Sequence, residues 1–226
     1  MVFSKLNRRT VLRGAALAGV AASAGSVMLL DPGSARAATE GASYPIDQLM
    51  AEGQLPDIWL GARDAPVTII EYASMTCTHC AAFAAETYPT LKSKYIDTGK
   101  VRFTLREFPL DPLATAGFML ARCAGPDKRM AMVDLLFAQQ KNWAFVDKPV
   151  EALANTVKQA GISQTDFETC LKDQKLYDQV NAVRDNAAQK FAVDATPTFY
   201  INGKKQAGEM TVADLDKILE PLLPKG

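Results

Sequence analysis

Apolar residues recur along the chain in two periods, and the switches between them outline its elements. Val67-Thr68-Ile69-Ile70-Glu71-Tyr72 is a β-branched and aromatic run of strand length opened by Pro66, and it predicts a central strand. From Cys77 to about Tyr95 the period becomes helical, with Cys80, Ala84, Thr87 and Leu91 in register and Pro89 expected to kink the helix. Val101 to Phe108 alternates Val101, Phe103 and Leu105 against Arg102, Thr104 and Arg106, the pattern of a second strand with unlike faces. Strand, helix and strand in succession predict a parallel pair joined by a right-handed crossover. From about Asp111 to Lys190 the stripes are helical, among them Ala116, Leu120 and Cys123, then Met132, Leu135 and Leu136, then Phe167, Cys170 and Leu171. Ser163 followed by Asp166 predicts a helix start within this block. Thr198-Phe199-Tyr200-Ile201, the turn pair Asn202-Gly203 and Lys204 to Met210 predict a hairpin. Thr211, with Asp214 three residues on, opens a last helix toward Leu222.

The two ends of this pattern differ. Residues 38–65 carry scattered Pro and Gly and little periodicity, which predicts an N-terminal lead with at most a short strand or helix. Ahead of it, Lys5, Arg8, Arg9 and Arg13 precede an Ala/Gly-rich apolar stretch, and Ala35-Arg36-Ala37 supplies small residues for cleavage. Residues 1–37 are therefore expected to be an export signal that is cleaved. Asn7-Arg8-Arg9-Thr10-Val11-Leu12-Arg13 resembles a twin-arginine signal, and Gly19, Ser23 and Gly25 interrupt the stretch too often for a membrane anchor. The chain of 226 residues suits one well-cored domain over residues 66–226, with a helical insertion at about 111–190. Its 25 cations balance its 25 anions, and removal of residues 1–37 takes away five cations and one anion, leaving a mildly acidic remainder near −4. No basic cluster beyond short pairs such as Lys204-Lys205 is present, so nucleic acid is not an expected partner.

Cys77-Thr78-His79-Cys80 stands where the predicted first strand gives way to the predicted helix. At a helix N-terminus the backbone N–H groups and the positive dipole end stabilise an anion, which favours a Cys77 thiolate at neutral pH. A protonated His79 would add to that effect, and Cys80, one turn further in, is close enough to bond Cys77. Zinc would need four ligands, whereas the one histidine lies inside the motif and Cys123 and Cys170 are isolated. Copper(I), satisfied by two thiolates, stays open as an alternative for this pair. Cys123 and Cys170 fall on apolar faces of predicted helices. They would pack as small hydrophobes if reduced, but an even cysteine count in an exported chain favours a structural disulfide between them.

The stretch Glu71-Tyr72-Ala73-Ser74-Met75-Thr76-Cys77-Thr78-His79-Cys80 resembles the active-site segment of the DsbA family of periplasmic disulfide oxidases, and Ala195-Thr196-Pro197-Thr198-Phe199 resembles the loop in which that superfamily sets a cis-proline beside the redox pair. The resemblance implies an α/β, thioredoxin-like fold with a helical insertion between the second strand and the cis-Pro strand. It implies that a substrate thiolate attacks the Cys77–Cys80 disulfide to form a mixed disulfide at Cys77, that a second substrate thiol releases the oxidised product, that His79 assists, and that Glu71 is a buried acid able to shuttle a proton to Cys80. Thr196, Pro197 and Thr78 would receive substrate. No cofactor and no metal are implied. The implied partners are reduced exported proteins and a quinone-linked membrane oxidase of the DsbB type in the periplasm; the lead is short beside the long N-terminal helices through which some relatives assemble, so a monomer is expected. Thr78 stands where typical members carry proline between the cysteines, and Thr196 precedes the proline in isomerase- and reductase-type relatives as well, so a reductase or isomerase on the same fold is the alternative direction.

Overall fold

The computed structural model describes residues 41–51 and 53–224; the expected export signal lies outside them. Strand β1, Val67–Ala73, occupies the centre of a four-stranded sheet of order β2-β1-β3-β4. It pairs in parallel with β2, Val101–Glu107, and antiparallel with β3, Thr198–Ile201, which in turn pairs antiparallel with β4, Lys204–Ala207. The short helix α1, Ile46–Met50, lies in the lead. The register sets Glu71 between Leu105 and Phe199. Alternation then sends Val67, Ile69, Glu71 and Ala73 to one face and Thr68, Ile70 and Tyr72 to the other.

Between β1 and β2 runs α2, a helical stretch assembled from α-helical Thr78–Ala82, π-helical Phe83–Thr87, α-helical Tyr88–Thr90 and π-helical Leu91–Ile96. Pro89 has no N–H to donate and crowds the preceding turn, and wider π turns flank it on both sides. Six helices fill the interval between β2 and β3: α3 Pro112–Cys123, α4 Pro126–Ala138, α5 Gln140–Trp143, α6 Pro149–Lys158, α7 Gln164–Leu171 and α8 Gln174–Phe191. Side-chain caps start several of them. Asp111 accepts from Ala114 N (2.8 Å), Ser163 from Asp166 N (3.1 Å) and Asp173 from Leu176 N (2.9 Å). Each such cap is worth about 1 kcal/mol. The last helix, α9, Val212–Leu219, opens with a capping box between Thr211 and Asp214.

The main core gathers Ile69, Phe103, Leu105 and Phe199 of the sheet with Phe83, Leu91 and Tyr95 of α2, Leu215 and Leu219 of α9, and Phe118, Leu136 and Trp143 of the insertion. A second cluster on the opposite face joins Ile70, Tyr72 and Tyr200 to Leu49, Phe191 and Val193. That face corrects the expectation of unlike faces for β2. Thr104 and Arg106 are buried because the lead covers them. Thr104 donates to Ile58 O (2.9 Å), and Arg106 reaches Asp57, Leu49 O and the Tyr72 hydroxyl. Leu60 bridges to Phe103, so the lead forms part of the sheet's cover.

The hairpin turns at Asn202 and Gly203, both with positive φ, and a side chain at Gly203 would run into the Tyr44 carbonyl. Strand β4 ends at Ala207 rather than at Met210, because Gly208 turns the chain at φ 89° and its N–H donates to Pro197 O (2.9 Å). Among the described residues no helix is long and apolar enough to cross a membrane.

Candidate active site

The loop between β1 and α2 is fastened from several sides. Thr76 donates to Asp111 (2.6 Å), the residue that also caps α3, and Leu110 N donates to Ser74 (3.3 Å). Gln140, buried at the start of α5, donates through one nitrogen to Met75 O and Cys77 O, both at 2.9 Å. Met75 packs against Gly117, where any side chain would crowd it at 3.1 Å. Cys77 is the N-cap of α2 and Cys80 lies one turn inside it.

Both cysteines are reduced in this structure and unequal in environment: Cys80 is fully buried, while Cys77 keeps 8% of its surface. The Cys77 thiol sits 3.3 Å from Thr196 O, to which it donates when protonated. Its pKa is lowered to about 5, first by hydrogen bonding from Cys80, with the Thr196 hydroxyl and the backbone N–H groups of Cys80 and His79 adding to the effect against the cost of burial. Burial and the donation to Cys77 push Cys80 the other way, well above the ordinary thiol range. The pair is thus divided into a thiolate at the surface and a protonated thiol beneath it.

Glu71 lies under them on β1, 2% exposed, with one carboxylate oxygen unpartnered. Burial, helped by the Cys77 charge, raises its pKa to about 8, so it holds a proton at neutral pH. Thr196–Pro197 is a cis peptide bond, and the buried Thr196 hydroxyl has no hydrogen-bond partner besides its proximity to Cys77. The loop before it is held from below by Lys205, a buried lysine of β4 that donates to Ala192 O (2.5 Å) and pairs with Asp194 (3.3 Å).

The structure therefore brings Cys77, Cys80, Glu71, Thr196 and Pro197 together. Thr78 and His79 are exposed on the first turn of α2. The His79 ring pairs through Nδ1 with Glu209, and its backbone N–H is the part that serves Cys77. Cys123 and Cys170 are apart from the site and joined by a disulfide between α3 and α7. Gln140, Lys205 and Glu209 were not singled out by sequence reasoning. Gln140 lies 63 residues from Cys77 and Glu209 lies 130 from His79, and no local pattern marks such pairs.

Beside the cysteines a groove of about 240 Å³ runs between α2 and the segment after β4, lined by His79, Phe83, Glu86, Thr87, Glu209 and Met210. A larger cavity, about 770 Å³, lies on the opposite face beneath the lead, where Arg106 is already paired with the Tyr72 hydroxyl and with Asp57. Among the described residues, no cluster of three or more histidine, cysteine or carboxylate side chains is placed to hold a metal.

The thioredoxin family model matches residues 54–221. A Rickettsia bellii protein named for protein-disulfide oxidoreductase activity is 32% identical over 148 residues, covering 65% of this chain and 57% of its own length. A Bacillus anthracis protein named for disulfide bond formation is 31% identical over 151 residues, covering 64% of this chain and 69% of the relative. The chain thus spans little more than half of the rickettsial relative. In shape it is similar to the crystal structure of Wolbachia pipientis alpha-DsbA1, with a TM-score of 0.70 at 29% identity over 78% of this chain and 94% of that one. Strand order, cysteine helix, cis-proline loop and these matches agree, and the chain belongs to the thioredoxin family, in its DsbA-like branch.

Proposed function

We propose that this chain is an exported thiol:disulfide oxidoreductase that oxidises dithiols of other exported proteins through a Cys77–Cys80 disulfide. The observation that carries the reading is the division of the pair, with Cys77 near 5 and Cys80 driven upward beside a cis-proline loop. A substrate thiolate attacks Cys77 Sγ, the Cys77–Cys80 bond breaks, and Cys80 leaves as a thiolate. Cys80 is buried and does not hold that charge well, so it takes a proton, and Glu71, protonated at neutral pH, is the donor beneath it. A second substrate thiolate then attacks the substrate's own sulfur and expels Cys77 as a thiolate. Substrate is oxidised by two electrons and the protein is reduced by two. A low-pKa thiol leaves readily, and a stabilised thiolate favours the reduced form, so both effects push toward oxidation of substrate.

Thr196 and Pro197 lie against the nucleophile, where an extended substrate segment would pair with backbone groups and so be accepted with little regard to sequence. Thr78, exposed one residue on, would flank it. The cycle then needs an oxidant for the reduced pair, and a membrane-bound quinone-linked partner of the DsbB type fits that need. The signal-like residues 1–37 support export to the periplasm, with the domain following the lead at residues 38–65 and acting as a monomer. Thr78 between the cysteines and Thr196 before the proline favour the second reading, net reduction or isomerisation.

Trapping tests the mechanism. Cys80→Ser should accumulate mixed disulfides between Cys77 and exported proteins in cells, because Cys80 can no longer attack the mixed disulfide at Cys77 and release the bound protein. Absence of any mixed disulfide at Cys77 would remove support for protein substrates, and copper bound by the two thiolates of the freshly purified protein would favour a carrier instead.

A further inference from the structure

The groove beside the cysteines contains a pairing that the exchange reaction does not require. His79 sits on the first turn of α2, immediately before Cys80, and its Nδ1 meets the carboxylate of Glu209. Glu209 lies in the segment between β4 and α9, and that segment is fixed on both flanks. Gly208 N donates to Pro197 O (2.9 Å), tying it to the cis-proline loop, and the Thr87 hydroxyl donates to Met210 O (2.7 Å), tying it to α2. The fold therefore sets the Glu209 backbone beside His79. The other ionisable group lining the groove with the imidazole is Glu86.

An imidazolium next to the first cysteine of such a motif stabilises the thiolate by opposite charge. In this chain the groups that lower Cys77 are Cys80, Thr196 and the backbone of residues 79 and 80; the ring is engaged elsewhere. We propose that Glu209 is a positioning residue: by engaging the His79 ring it withholds that ring from Cys77 and keeps the thiolate less stable, and the pair less oxidising, than a free histidine at position 79 would make it. The inference rests on Cys77–Cys80 being the exchanging pair.

A double-mutant cycle on the reduced protein tests it, reading the Cys77 pKa from thiolate absorbance against pH in wild type, Glu209→Gln, His79→Ala and the double variant. Glu209→Gln should lower the Cys77 pKa by about half a unit, roughly a threefold change in acid constant. It should also move the glutathione equilibrium toward the reduced protein. The same substitution in the His79→Ala background reports only the direct field of an exposed carboxylate, which solvent and salt screen, and should move the pKa far less. Equal shifts in the two backgrounds, or no shift in either, would overturn the proposal. The titration needs no exchange activity. A wild-type protein that failed to exchange with glutathione would therefore count against the proposed function, while the pKa differences would still decide the role of Glu209.

Discussion

The chemistry of the site is decided by differences of a few ångströms between two sulfurs. Cys77 keeps a sliver of surface and is favoured as a thiolate by Cys80, by the nearby Thr196 hydroxyl and by the first turn of α2, whereas Cys80, one turn in, meets apolar surroundings and the Glu71 carboxyl. Alkylation of the reduced protein should therefore label Cys77 first, with a rate that rises through a midpoint near pH 5, while Cys80 stays unreactive at neutral pH. A midpoint near the free-thiol value of about 8.5, or preferential labelling of Cys80, would show that the two roles are misassigned. The placement of the two cysteines was legible in the sequence because it follows from local position, the first at a helix start and the second within it. The pairing of His79 was not legible. It depends on Glu209, which reaches the motif only through the hairpin and the hydrogen bonds of residues 208 and 210.

Among the elements, periodicity and capping residues located the strands and most helices, since each signal acts within one turn or one strand. Asp111, Ser163 and the Thr211–Asp214 box start their helices as local hydrogen bonding dictates. What periodicity misreads is burial that comes from a distant segment. The Arg106 face of β2 looks solvent-directed in sequence, yet Asp57 and the Leu49 carbonyl, about fifty residues away, cover and neutralise it. The insertion is tied in similarly, by Arg122 and Arg129 converging on buried Glu107, and by the Cys123–Cys170 disulfide joining α3 to α7. That disulfide closes 47 residues and should contribute about 4 kcal/mol by restricting the unfolded chain. Replacing both cysteines with Ala should lower the melting temperature by about 10 °C while exchange at Cys77 continues. Loss of turnover in a still-folded variant, seen in a thiol-exchange assay, would mean the disulfide takes part in the redox chemistry.

At the scale of the whole molecule, the ionisations in the site make stability depend on pH and on redox state. Cys77 titrates lower in the folded protein than in the unfolded one, so its thiolate stabilises the reduced form fully above about pH 8.5 and loses that effect as pH falls through about 5. Glu71 has the opposite sign. Its folded pKa is raised, so the neutral carboxyl costs nothing below about pH 4.5, and stability is lost as pH rises toward about 8. Glu71→Gln in the oxidised protein, where burial alone raises the carboxyl because the Cys77 charge is absent, should therefore gain melting temperature over wild type progressively as pH rises above about 4.5. A difference that does not vary with pH would contradict the burial of an ionisable acid there. The Cys77 shift favours the reduced form at neutral pH, and under the proposed function it is this effect that makes the disulfide an oxidant. The equilibrium of the purified protein with glutathione buffers measures this directly. The account predicts a reduction potential more oxidising than about −200 mV, with the reduced protein the more resistant to denaturant; a value near −270 mV, in the range of a reductant, would contradict it.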